Sequence, residues 1–130
     1  DPPHAGVPVG GGEVYSGVVA LAALPDGRLL VLERSAARVL PPFENRLFVV
    51  DPRAAADVSD VAGDLAARRE THVAKRLLWR GSLGCNLEGL GIGPALPGGG
   101  TALVAVSDAG GLDAPTQLVV LRMGGPVTSP

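Results

Sequence analysis

The sequence predicts an all-β chain made of two successive antiparallel units, and three observations predict it. Short apolar runs alternate with turn clusters drawn from 19 Gly and 12 Pro, which follow no collagen-like period. The turn signal Leu24-Pro25-Asp26-Gly27 returns as Leu96-Pro97-Gly98-Gly99-Gly100. The strand Asn45-Arg-Leu-Phe-Val-Val-Asp51 returns as Thr116-Gln-Leu-Val-Val-Leu-Arg122. Leu24 to Leu96 is 72 positions and Leu47 to Leu118 is 71, so the two offsets agree within one residue and read as an internal repeat.

Residues 1–16, rich in Pro and Gly, form an irregular lead-in. Strands are predicted near 18–24 and 28–33, joined by the Pro25-Asp26-Gly27 hairpin: Pro pre-sets the first turn angle and Gly accepts a positive φ. Their near-continuous apolar character predicts burial on two faces. Ser35 to Glu44 reads as a loop, because Pro41-Pro42 cannot supply ladder donors. The third strand is 45–51, ended by Pro52. Between Ala54 and Glu70, Val58, Val61, Ala62 and Leu65 recur at helical spacing but Gly63 interrupts, which predicts a loop with at most a short helix. A fourth strand, 75–80, has charged ends and suits an edge.

The plan then restarts with strands near 87–93, 101–107 and 116–123. A repeated strand–hairpin–strand–loop–strand–loop–strand unit is the blade of a β-propeller. Blade one spans 17–80 and blade two 86–123, within a segment 17–123 followed by a tail, 124–130. The rival all-β reading, a seven-stranded sandwich, would show cleaner in/out alternation.

Composition narrows the function classes. The hydrophobic fraction of 46% excludes a disordered chain. A net charge of −2 with interspersed signs, and Tyr15, Phe43, Phe48 and Trp79 as the aromatic residues, argue against a nucleic-acid partner. No apolar run approaches the roughly 20 residues of a membrane span. The chain begins at Asp1 with no visible signal peptide. Cys85 has no second cysteine and reads as a small buried apolar residue.

Six segments in order are similar to a known family: Ala23-Leu-Pro-Asp-Gly-Arg-Leu-Leu-Val-Leu-Glu-Arg34, Asn45-Arg-Leu-Phe48, Asn86-Leu-Glu-Gly-Leu90, Leu96-Pro97, Val106-Ser-Asp108 and Pro115-Thr-Gln-Leu118. They resemble the C-terminal part of the phytase-like domain described as "esterase-like activity of phytase". The resemblance implies a bacterial six-bladed propeller, extracellular or periplasmic, in a chain longer than this one. It also implies hydrolysis of phosphate or carboxylic esters. Such proteins commonly follow Ser-Asp with another acid, an Asn and an aromatic, whereas Asp108 here precedes Ala109-Gly-Gly-Leu112.

Within the blade assignment, Glu88 starts an inner strand between Asn86 and Gly89. Asp108 ends the neighbouring strand, and Glu33-Arg34 ends the equivalent strand of blade one. Inner-strand ends line a propeller's channel, where carboxylates can converge. Glu88 and Asp108 are therefore the expected catalytic pair. Glu33, Glu88 and Asp108, with the Asn86 carbonyl, suit a hard cation such as Ca²⁺, which would neutralise phosphate charge and activate water. Arg34 would pair with a phosphoryl oxygen. The bland alternative makes the same residues strand-end hydrogen-bond acceptors and surface ion pairs.

Gly89, Gly91 and Gly93 do not complete a phosphate-loop pattern and no helix follows. No serine sits in a nucleophile elbow, and His4 and His72 are too few for a triad or zinc site. Two readings remain: a metal-assisted phosphoric ester hydrolase acting on a small substrate, or a non-catalytic binding or structural propeller module. Either needs the remainder of the propeller, or self-association, to cover exposed blade faces and an unfilled strand edge.

Overall fold

The computed structural model describes residues 7–8, 14–64, 72–108 and 115–124. Among these residues nine strands follow in order: β1 (Val7–Pro8), β2 (Tyr15–Ala23), β3 (Leu29–Ala36), β4 (Val39–Leu40), β5 (Phe43–Val50), β6 (Lys75–Gly81), β7 (Leu87–Ala95), β8 (Thr101–Ser107) and β9 (Leu118–Met123). Two antiparallel sheets carry the fold, ordered β2-β3-β5-β6 and β7-β8-β9, with a small β1-β4 pair beside them. These are two blades of a β-propeller, the second with three strands. All seven expected strands are present.

The repeat is visible in the turns. Leu24 N–H donates to the Arg28 carbonyl and Gly27 N–H to the Leu24 carbonyl, at 2.8 and 3.0 Å. Leu96 to Gly100 and Gly99 to Leu96 repeat both bonds at the same distances. Gly27 (φ 84°) and Gly99 (φ 91°) occupy the left-handed position that closes each turn.

Alternation along the strands sorts side chains to two faces. Leu30, Leu32 and Arg34 of β3, with Asn45, Leu47 and Val49 of β5, face blade two, as their core contacts and hydrogen bonds show. Leu103 and Ala105 of β8 meet them from the other side, with Leu87 and Cys85. Leu30, Leu87 and Leu103 are essentially inaccessible; each such side chain contributes about 1.5–3 kcal/mol by leaving water. The opposite face of blade one holds Val31, Phe48, Val50 and Val73.

Three expectations need correcting. Of the two strands expected to be buried on both faces, the first is not: β2 leaves Val18 and Leu21 more than half exposed. As a sheet edge it bonds only β3, so double burial falls on the interior strands β3 and β5. Ser35–Glu44 is not wholly loop either. Pairing runs on through Ser35↔Glu44 to Ala36↔Phe43, and Ala37 N–H donates to the Pro42 carbonyl. The prolines are confined to the turn, where they need no ladder donor. Consequently Glu33 and Arg34 lie within β3 rather than at its end.

After β5, Asp51 caps a single 3₁₀ turn, Pro52–Ala54. No α-helix occurs among the described residues of the 54–70 stretch, and its remainder, 65–70, lies outside them. Most of the lead-in and the tail from 125 onward are outside them as well. The edge position expected for β6 is observed. No helix among the described residues is long and apolar enough to cross a membrane.

Candidate functional site

The site is assembled where β7 begins. Asn45 on β5, fully buried, donates its side-chain amide to the Cys85 carbonyl at 3.1 Å. The next residue is tied from the other side, where Asp108 N–H donates to the Asn86 carbonyl at 3.0 Å. Blade one and β8 thus fix the segment that leads into β7.

The β7–β8 register then slips between Leu87 and Gly89. Glu88 is the extra residue of this bulge, and a bulge re-aims the side chain it carries. Gly89 permits it, because a Cβ there would lie 2.5 Å from Val106 Cγ1. An acid followed by glycine at a strand start is the sequence signal of this geometry.

Three of the expected site residues meet across the two blades. Arg34 Nη1 donates to Asn86 Oδ1 at 2.5 Å, and Asn86 Nδ2 donates to Glu88 Oε1 at 2.9 Å. Arg34 and Glu88 stand 3.7 Å apart, with side chains 27% and 41% exposed. Chemistry fixes the amide orientation: a guanidinium only donates and a carboxylate only accepts. Arg34 also lies over the Phe43 ring, 5.9 Å from its centroid. Its Nε and the Oδ1 of Asn45, directly opposite in the ladder, are buried and make no hydrogen bond among the described residues. The cluster therefore offers a guanidinium and a carboxylate side by side at a half-open surface.

Glu33 is not part of it. Neighbouring residues on a strand face opposite ways, so Glu33 turns away from blade two. There it accepts from Lys75 at 2.5 Å and lies 3.8 Å from Arg46, which donates to Ser16 Oγ at 2.7 Å. Lys75 sits 4.6 Å from the Phe48 ring centroid, and Arg80 pairs with Glu44 at 2.9 Å. Glu33, Glu44 and Arg46 are all buried, forming an ionic layer inside blade one's outer face. Asp108 is exposed just past β8 and reaches the cluster through its backbone.

A Ca²⁺ ion takes 6–8 oxygens, and the described residues do not fit one. Asn86 Oδ1 already accepts from a guanidinium, Glu33 faces away, and no three His, Cys, Asp or Glu among the described residues converge. Ala109-Gly-Gly-Leu112, which follows Asp108, lies outside the described residues. Cys85 supplies no nucleophile, since burial pushes its thiol pKa up. A separate apolar hollow of about 290 Å³, lined by Leu47, Leu78, Trp79, Leu103, Leu121 and Met123 among others, brings no acid–base pair.

Asn45 and Phe43 were not singled out from sequence. Asn45 stands between Glu44 and Arg46 in β5, so no local pattern set it apart; Phe43 required the pairing of β3 with β5.

Compared with known families, residues 4–109 match the model of the phytase-like family described as "esterase-like activity of phytase". No curated protein and no solved structure matches the chain.

Proposed function

The chain belongs to the phytase-like family, and on that footing we propose that it is a phosphoric ester hydrolase of small substrates working at the Arg34–Asn86–Glu88 cluster. The observation that carries the reading is the cross-blade contact: an arginine of β3 and a bulged carboxylate of β7 held 3.7 Å apart by one asparagine.

Arg34 binds a phosphoryl oxygen, as a planar guanidinium does. Asn86 keeps Arg34 and Glu88 in register. Glu88 takes a proton from water, whose oxygen forms the new bond to phosphorus as the ester P–O bond breaks; the leaving alkoxide takes a proton from solvent, and Glu88 returns its own to solvent. Asp108 stands beside Asn86 as a second carboxylate at the rim. A positioned base contributes typically 10²–10⁴-fold.

Ca²⁺ assistance belongs to the proposal as a measurement. Its ligands would have to include groups beyond the described residues, so no step is routed through it. Export to the periplasm or the exterior is proposed from family resemblance alone.

The second reading, a non-catalytic propeller module, draws on the same contact, because Arg34–Glu88 can serve as an inter-blade ion pair. Hydrolysis of p-nitrophenyl phosphate, with and without Ca²⁺ and chelator, separates the two. Turnover that is lost in Glu88→Gln supports the hydrolase; equal rates for both proteins, or none for either, favour the module.

A further inference from the structure

Beside the cluster lies a hollow of about 240 Å³ lined by Tyr15, Ala36, Ala37, Arg38, Pro42 and Phe43. We propose that it is the alcohol pocket of the site and that the preferred substrate is a phosphomonoester of an aromatic alcohol. The inference deepens the hydrolase reading and rests on it.

Phe43 joins the two regions. It pairs with Ala36 in the β3–β5 ladder, two positions from the Arg34↔Asn45 pair, so Arg34 and Phe43 share one face. The guanidinium lies over its ring. A phosphate on Arg34 therefore directs its ester oxygen toward Phe43 and the hollow behind it.

The walls suit an aromatic body. Ala36 and Ala37 leave the floor open, Pro42 and Phe43 supply apolar faces, and Tyr15, 68% exposed, stands at the rim opposite Ala36. A dry cavity of about 150 Å³ is large enough to bind benzene, so 240 Å³ admits one substituted ring. Rings so placed gain offset or edge-on contacts with Phe43 and Tyr15.

Charge argues against the alternative of a polyphosphorylated polyol. Arg34 and Arg38 are the cations of the cluster and hollow, and Glu88 lies 3.7 Å from the first. Arg34, offset by Glu88, and Arg38 can match two phosphates at most; the further phosphates of a polyphosphorylated polyol would meet carboxylate or apolar wall.

The test uses the whole chain and non-hydrolysable probes. Calorimetry should show phenylphosphonate binding roughly tenfold tighter than methylphosphonate. Phe43→Ala should bring the ratio close to one. Tyr15→Ala, at a position 68% exposed, should reduce it by about half on a logarithmic scale. Arg34→Gln should weaken both ligands alike. Equal binding of the two phosphonates by the unaltered chain, no binding of either, or a ratio that neither aromatic substitution moves would overturn the proposal. Turnover of 2-naphthyl phosphate against inositol hexakisphosphate keeps the two claims apart. Selective phosphonate binding without turnover sinks the hydrolase and leaves the pocket, whereas turnover without preference does the reverse.

Discussion

The two blades share a scaffold and differ in what they place on it. Aligned on their turns, Glu33 corresponds to Ala105, Arg34 to Val106 and Ala36 to Asp108, each by the offset of 72. Equivalent faces thus hold an ionic layer in blade one and an apolar layer in blade two. The bulges differ as well. In β2 the register slips between Val18 and Ala20, opposite the Leu32/Glu33 step. In β7 it slips two ladder rows nearer the strand start, at Glu88. The repeat carries architecture, and the candidate site arises where the repeat is broken.

The largest expected effect breaks that asymmetry at Glu88. Glu88→Gln keeps shape and removes the base, so kcat on an aryl phosphate should fall about 10²–10⁴-fold. The urea midpoint should barely move, because a half-exposed ion pair contributes only about 0–1 kcal/mol. Unaltered kcat would dissociate the bulge from chemistry. If Arg34 binds the anion as proposed, chelation should leave phosphonate binding intact.

Exchanging the two layers comes next. Glu33→Leu strips a partner from buried Arg46, and Ala105→Glu buries a carboxylate among Leu32, Cys85 and Leu87. Each should cost about 3–5 kcal/mol in denaturant unfolding. A loss under ~1 kcal/mol in either case would mean that the ionic layer is solvated rather than integral.

How far these differences were legible in the sequence depends on the kind of contact each requires. The seven strands and both turns followed from local chemistry, Pro and Gly between apolar runs. That Glu33 and Arg34 face opposite ways follows from strand geometry alone. Which of them meets blade two does not, because it depends on how the sheets stack. Asn86 and Glu88, two positions apart, are neighbours by sequence alone; that Arg34 reaches them from 52 residues away is not derivable from local pattern. The apolar run of β2 misled because hydrophobicity records what a strand can bury, and its edge position decides what is covered.

A smaller effect sharpens the comparison of the inner strands. Gly89→Ala meets Val106, whereas Gly17→Ala on β2 meets nothing within 4 Å. The first should destabilise by about 1–3 kcal/mol and regain most of it in combination with Val106→Ala. The second should stay within ~0.5 kcal/mol of the unaltered chain. Similar thermal midpoints for the two single variants would remove the bulge as a packing constraint.

The smallest concerns acid. Arg53 holds the Asp51 carboxyl down from 3.8 to about 2, and Arg28 likewise lowers Asp26 in the first turn. Carboxyls depressed in the folded state stabilise it above their unfolded value, and that contribution disappears as pH falls through the folded one. Thermal midpoints should therefore decline between about pH 4 and pH 2. The glycine turn at 98–100 has no carboxylate to lose, so Asp26→Asn with Asp51→Asn should flatten part of that decline.

The polar links between the blades also have a mechanical side. Arg34–Asn86 and Asn45–Cys85 both lie toward the Ala36/Asp108 end of the interface, while among the described residues the end at Leu24, Leu30 and Val49 is held by apolar contact. Apolar surfaces slide and part gradually, whereas directional bonds hold until they snap. This distribution of contacts predicts that blade two opens as a leaf hinged at one end, with the Arg34–Asn86–Glu88 cluster at the hinge. Breathing at the free end leaves Arg34 and Glu88 assembled. Hydrogen exchange gives the signature, with the Asp108 amide, bonded to Asn86, outlasting the Gly27 amide in the first turn.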